Sequence, residues 1–440
     1  MNVARVTAAA VIALSVGGAE LVAQQSTDSA SARLQRQVDS LKAAMSALSA
    51  RLDTASIGAP QPAAAAPART GGAYMNVGFV SDADAGWSTQ QDPTVLQHGD
   101  HDPKVRGFTM PNSEISLDGA VDPYFKGYSN IVWKLDQNGE TEVELEEAYG
   151  ITTSLPGNLQ LKFGQFFTEF GRQNNQHPHA WAFVDQPIVL TNMFGKDGLR
   201  SQGARLSWLA PWSFYTEAML TVANSGGGTL FSFRSDESSE IHGGETVDRG
   251  VNGFKDLLIA PRVSSSFDIG ETQAMVIGVS GALGPNNAGT TTRTSIYGAD
   301  LYWKWKSLTA AQGFPFVSFQ SEVMTRAYDA GSRVSLAIPA VTLAAQTLHD
   351  NGAYAQLLWG IKPRIVAGLR GDWTNGDAVA FDSPARADRI RISPNFTWYP
   401  TEFSKIRLQY NYDDRKDIKT DHSLWLQFEF LLGAHAAHKF

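Results

Sequence analysis

Towards its C-terminal end the chain alternates strictly between two faces. Leu424, Leu426, Phe428 and Phe430 fall on one side of an extended segment, and Ser423, Gln427 and Glu429 on the other, with Trp425 among them. A face that apolar, backed by one that polar, suits a strand with lipid on one side and water on the other. The same alternation predicts sixteen strands, near 74–80, 113–121, 124–135, 142–154, 158–167, 201–210, 213–223, 256–268, 272–284, 293–306, 314–326, 351–362, 363–373, 388–399, 402–413 and 421–433. Connections after strands two, four, six, eight, twelve and fourteen are tight, as at Val121-Asp122-Pro123, Leu155-Pro156-Gly157-Asn158 and Tyr399-Pro400-Thr401. The tenth is expected to be longer, from Ser307 to Gly313. Odd-numbered connections include the long ones, 81–112, 168–200, 224–255, 327–350 and 374–387, together with short ones near 136–141, 285–292 and 414–420. Long and short ends segregating by parity is what a membrane barrel with one periplasmic and one extracellular rim requires. The expected fold is therefore all-β, a transmembrane antiparallel barrel of about 16 strands.

The rest of the chain places that barrel. Met1 to Ala23 holds Arg5, an apolar run from Val6 to Val16 and then small residues, the pattern of a secretory signal peptide over 1–23. Within 24–56, Leu34, Val38, Leu41, Met45, Leu48 and Leu52 form a heptad seam, which predicts a periplasmic coiled-coil helix that self-associates, as a homotrimer. Residues 57–71 are a Pro/Ala linker, and the barrel is expected over 72–440. No stretch after the N-terminus reaches the ~18 to 20 continuous apolar residues of a membrane helix. The chain has no cysteine, which excludes a disulfide framework, a lipoprotein anchor and thiolate chemistry. A net charge of −8 argues against nucleic acid or an anionic membrane surface as partner. Eleven Trp, 12 Tyr and 23 Phe suit the aromatic girdles of an outer-membrane barrel in contact with lipid.

Leu145-Glu146-Glu147-Ala148-Tyr149 and Leu159 to Phe166, with Ser393 to Pro400, Leu408 to Tyr412 and the terminal Phe440, resemble the strands of bacterial trimeric porins. More narrowly, the chain resembles the phosphate-selective porin O and P type. The resemblance implies an outer-membrane channel for passive diffusion of small hydrophilic solutes, with a preference for anions such as phosphate. It also implies that the connection between strands five and six folds into the barrel as a constriction. Phe170, Trp181 and Phe183 make that segment too apolar to stand in solvent. Arg172, His177, His179, Trp181 and Asp185 are then the constriction residues.

His177 and His179 flank Pro178 and project to the same side of an extended segment; with Asp185 they are a candidate zinc or copper site. His98, Asp100, His101 and Asp102 form a second candidate of the same kind, while His435 and His438 read as a tail. No other cofactor is implied. Parity places Lys126, Lys162, Arg205, Arg262, Arg370, Arg389, Arg391, Lys405 and Arg407 in the lumen, with the acids Glu144, Glu146, Glu322, Asp372 and Glu429. The expected lining is mixed with a basic excess and weakly anion-preferring. Glu147 breaks the parity and needs a bulge in its strand or a neighbouring subunit. Three other functions compete with the pore. A barrel enzyme lacks a motif that fixes nucleophile and base; a plugged receptor needs about 22 strands; a structural tether does not explain a charged interior. A channel or receptor for metal uptake, built on the histidines, is the alternative.

Overall fold

The computed structural model describes residues 74–433, apart from positions 121, 137, 154, 337, 378–385, 387 and 417–418. The signal segment 1–23, the 24–56 helix, the 57–71 linker, His435, His438 and Phe440 lie outside the described residues. The strands are β1 Tyr74–Ser88, β2 Gly107–Ala120, β3 Phe125–Leu135, β4 Thr141–Thr152, β5 Leu159–Phe167, β6 Arg200–Leu209, β7 Tyr215–Asn224, β8 Leu257–Ile269 and β9 Gln273–Pro285. They continue with β10 Arg293–Ala311, β11 Phe314–Ala330, β12 Arg333–Val334, β13 Thr342–Leu343, β14 Gln346–Lys362, β15 Ile365–Gly376, β16 Arg389–Thr401, β17 Ser404–Arg415 and β18 Asp421–Gly433. All but the small β12–β13 pair close a single antiparallel barrel of sixteen strands, each beside its sequence neighbour in the wall.

Closure is made by β1 against β18, in register from Gly78 opposite Gly433 to Ser88 opposite Ser423. Leu424, Leu426 and Phe428 stand exposed on the outer face, and Ser423, Trp425, Gln427 and Glu429 are buried inside. The same split runs through β16 and β17, where Ile390, Ile392, Leu408 and Tyr410 face out and Arg389, Arg391, Arg407 and Gln409 face in. Because side chains alternate with period two, the hydrophobic pattern sets this register. Gly86 is required at the seam, since a Cβ there would lie 1.9 Å from the buried ring of Trp425.

The even-numbered barrel connections are tight, and two show why. Gln312 and Gly313 both take positive φ, 53° and 84°, as a two-residue hairpin turn needs. Pro363-Arg364, with φ of 71° at Arg364, is the proline-first turn that demands a left-handed second residue. The tenth connection is accordingly shorter than expected. The segment from Ser307 to Ala311 continues β10 through a register irregularity after Lys306 instead of forming a loop.

Two long connections fold inside. Residues 168–199 carry helix α1, Ile188–Phe194, in which all seven side chains are buried. A helix buried on every face is surrounded by protein. Residues 225–256 contribute Leu230 and Phe233, and a short helix α2, Ser239–His242. Together they pack Phe170, Val189, Leu190, Met193, Phe194 and Leu199 against inward-facing Leu258, Ala260, Ala282, Ile296, Met324 and Tyr354 of the wall. Part of the interior, expected to be wet, is thus a packed apolar core.

Candidate functional site

The inward loop begins as soon as β5 ends. Gly171 turns it, with φ of 60° and no room for a Cβ beside the Glu322 carboxylate of β11. The backbone amides of Arg172 and Gln173 donate to Glu322 Oε1 at 3.1 and 2.7 Å. The Arg172 side chain donates to Gln320 Oε1 at 3.0 Å and lies 4.0 Å over the ring of Tyr302. It is held against the wall of β10 and β11. Trp181 is buried, gives its indole N–H to the Gln176 carbonyl, and offers its own carbonyl to Arg407 at 2.9 Å.

Asp185 fastens the far end. Its Oδ1 accepts from Arg370 Nη2 at 2.6 Å and Gln409 Nε2 at 2.9 Å. Its Oδ2 accepts from Arg391 Nη1 at 2.9 Å, Asn411 Nδ2 at 3.0 Å and Gln97 Nε2 at 3.1 Å. Gln97 belongs to the first long connection, 89–106, so one carboxylate joins two loops to β15, β16 and β17. Burial alone pushes this carboxyl up, but Arg370 and Arg391 outweigh it and hold Asp185 down to about 2. With both oxygens committed, Asp185 does not join the histidines. The expected His177/His179/Asp185 metal set is corrected on that ground.

The histidines meet other carboxylates. Their rings stack at 5.8 Å and 10°, both turned toward the β2–β4 wall as the spacing around Pro178 implied. His177 Nδ1 lies 2.8 Å from Glu146 Oε2 and 3.7 Å from Glu114 Oε2, and its Nε2 lies 2.9 Å from Glu147 Oε2. His179 Nδ1 contacts Glu114 Oε1. His101, from the first long connection, places Nε2 3.4 Å from Glu146 Oε1. Glu146 and Glu147 both reach inside because β4 bulges: Asn130 pairs with Glu147 and the next residue, Ile131, with Leu145. The bulge explains the parity violation at Glu147. Burial disfavours an imidazolium at His177, yet Glu146, Glu147 and Glu114 together keep its pKa well above the ordinary histidine value.

Two groups taken as separate candidates in the sequence are thus partly one cluster. His101 and His177/His179 converge, whereas Asp102 turns away to accept the backbone amides of Gly99 and Gln186. His98, crowded by burial and then by Arg389, Arg415 and Arg391, is held down to about 3 and stays neutral. Asp100 pairs with Lys134 and Lys104.

The inward bases are where parity put them, but they are paired. Lys162 and Arg205 share Glu169; Arg262 binds Asp300; Arg370 binds Asp372 and Asp185. Arg389 and Arg391 both hold Asp413, and Lys405 lies 2.5 Å from Glu429. Arg407 bonds Gln427 and the loop. Glu144 takes Arg200. Lys126, near the short-turn end, is exposed. The expected basic excess is corrected by these partners, several of which, including Glu169, Asp185, Asp300 and Asp413, parity reading had left out. Arg370, Arg391 and Arg407 are only 1–2% exposed, covered by the loop.

Among solved structures, the barrel is similar to the anion-selective porin from Comamonas acidovorans, with a TM-score of 0.52 at 8% identity over 82% of this chain and all of that one. It is also similar to the outer membrane channel DcaP of Acinetobacter baumannii, with a TM-score of 0.50 at 14% identity over 84% and 100% of the two chains. These likenesses show the fold: a closed antiparallel barrel of sixteen strands. In sequence, the chain is 32% identical over 368 residues to an uncharacterized protein of Aquifex aeolicus (strain VF5), covering 78% of this chain and 72% of that one. It belongs to the same family as that protein. No family model matches the chain.

Proposed function

We propose that this protein is an outer-membrane porin for small hydrophilic solutes whose pore is closed when the 168–199 loop is seated, and opens when the loop leaves the wall. The observation that carries this reading is the burial of the inward charges of β15 to β17 beneath that loop, inside a closed barrel with an apolar outer belt. Charged side chains on an inner wall are costly unless they are either wet or paired. Here they are paired to the loop through hydrogen bonds of charged groups, each contributing about 1.5–3 kcal/mol net and exchanged for hydration when the loop leaves.

Within this reading, ion preference is weak, because each inward base of the constriction region faces an acid or a neutral acceptor. A phosphate-specific pore has no support in the pairing of Arg370, Arg389 and Arg391. Planar bilayers containing the purified protein and a KCl gradient test both parts: discrete conductance steps are expected, with a reversal potential near zero. A silent bilayer sinks the channel, and a strongly anionic reversal potential sinks the weak preference.

We further propose that the protein works as a homotrimer in the outer membrane, supported by the heptad seam at Leu34, Val38, Leu41, Met45, Leu48 and Leu52. Light scattering in mild detergent is expected to give three copies, and fewer copies after removal of residues 24–71 if that helix contributes. A monomeric full-length protein contradicts the trimer.

A further inference from the structure

We propose that Glu114, Glu146 and His177 form a binding site for one divalent transition-metal cation of the zinc type, located where the two long extracellular connections meet the β2–β4 wall. The three donor atoms come from β2, the β4 bulge and the inward loop, and lie within 4.8 Å of one another. In a tetrahedral zinc site with bonds of about 2.1 Å, neighbouring ligand atoms are roughly 3.4 Å apart. The distances from His177 Nδ1 to the two carboxylates, 2.8 and 3.7 Å, straddle that edge. Only a small adjustment separates this arrangement from a coordination face.

A second observation points the same way. Asn130 of β3 is fully buried and aims its amide into the cluster, where Nδ2 is 3.0 Å from Glu114 Oε2, 2.9 Å from Glu146 Oε2 and 3.1 Å from His177 Nδ1. The two hydrogens of the amide nitrogen go to the two carboxylates, so it meets the Nδ1–H that His177 turns to Glu146 as donor against donor. Its Oδ1, meanwhile, is buried with no hydrogen-bond partner. With a cation among the three donors, the amide can turn its oxygen to the ion as a fourth ligand. This relieves the donor-to-donor contact and the orphaned oxygen together.

Charge supports the assignment. Glu114, Glu146 and Glu147 are 0%, 2% and 6% exposed, and among the described residues their ion-pair partners are histidines, with no lysine or arginine. Buried carboxylates need compensating charge. A divalent ion supplies it at one point, with His179 and His101 on the outer carboxylate oxygens to orient them. Mixed imidazole and carboxylate donors favour zinc over magnesium or calcium, which prefer all-oxygen shells. His177 and His179 keep 12% and 16% side-chain exposure, leaving an approach from the interior side. A bound ion ties the third long connection to the wall, and His101 extends the tie to the first.

The test uses full-length protein in detergent, stripped with EDTA and titrated with Zn²⁺ by calorimetry. One saturable zinc per chain is expected, unaffected by excess Mg²⁺. Glu146→Gln and His177→Ala should each weaken binding by at least about 100-fold, while His349→Ala, an exposed histidine elsewhere, leaves it unchanged. Heat-modifiable migration on gels shows whether each variant is folded. Zinc-edge X-ray absorption on the loaded wild type needs no variant and is expected to show one or more imidazoles with carboxylate oxygen at about 2.0–2.2 Å. No saturable binding overturns the proposal. So does equal affinity in all variants, or a first shell without imidazole; the cluster is then held by protonated histidines alone. Neither outcome bears on conductance, so the channel reading stands or falls separately.

Discussion

Replacing Asp185 by alanine is expected to unseat the inward loop. The change removes the acceptor of five hydrogen bonds and leaves Arg370 and Arg391 buried with fewer counter-charges. Breaking a buried ion pair from one side costs about 3–5 kcal/mol, because the remaining charge is stranded. Arg370 retains Asp372 and Arg391 retains Asp413, so the barrel wall itself should survive. The cost then falls on the loop. Expected results are cleavage of 168–199 by added protease, where wild type resists, and a higher open fraction in bilayers.

Acid should do the same to wild type, over a defined range. Asp185 is held to about 2, below the ~3.9 of an unfolded aspartate. A depressed carboxyl contributes stability that is fully present above the unfolded value and is lost as pH falls through the folded one. The loop should therefore stay protease-resistant from neutral pH to about pH 4 and become labile between there and about pH 2. Loosening already at pH 6 would contradict this, since the carboxyl is still ionised there. Asp185→Asn should behave at pH 7 much as wild type does at the acid end.

The barrel could be read from the chain because its evidence is local. Barrel strands such as β16, β17 and β18 are marked by period-two alternation, and turn residues such as Pro363 and Gly313 bound others. What fills the barrel is not local. Alternation says that Leu258, Ala260, Ala282 and Met324 point inward, but not whether water or protein meets them there. Helix α1 is seven residues long and buries its polar Thr191 and Asn192 with its apolar residues, so it shows no amphipathic period by which a helix is recognised.

The carboxylate–imidazole cluster illustrates the same limit. Glu114, Asn130, Glu146 and His177 stand on four separate segments; the wall register brings the first three together, and the inward fold of the loop adds His177. Asp185 is eight positions from His177 and was the natural partner by proximity along the chain; instead the loop carries it to Arg370 and Arg391. One signal was available. Glu147 violated the alternation, and a residue that breaks parity in a strand marks a bulge, which is where strands re-aim functional side chains. The adjacent acids Glu146 and Glu147 reach the histidines through that bulge.

Whether the loop must move for solute to pass is settled most directly by fastening it. A Cβ at Gly352 of β14 lies 3.0 Å from Cβ of Val189 in helix α1, within about half an ångström of the 3.5–4.5 Å separation that a disulfide spans. The chain has no cysteine of its own, so Val189→Cys with Gly352→Cys gives a single pair. In bilayers, the oxidised double variant is expected to be silent, with the loop pinned over the inward arginines; adding reductant on the same membrane should restore conductance steps of wild-type size. Equal conductance before and after reduction would contradict the account, since solute would then be passing with the loop in place.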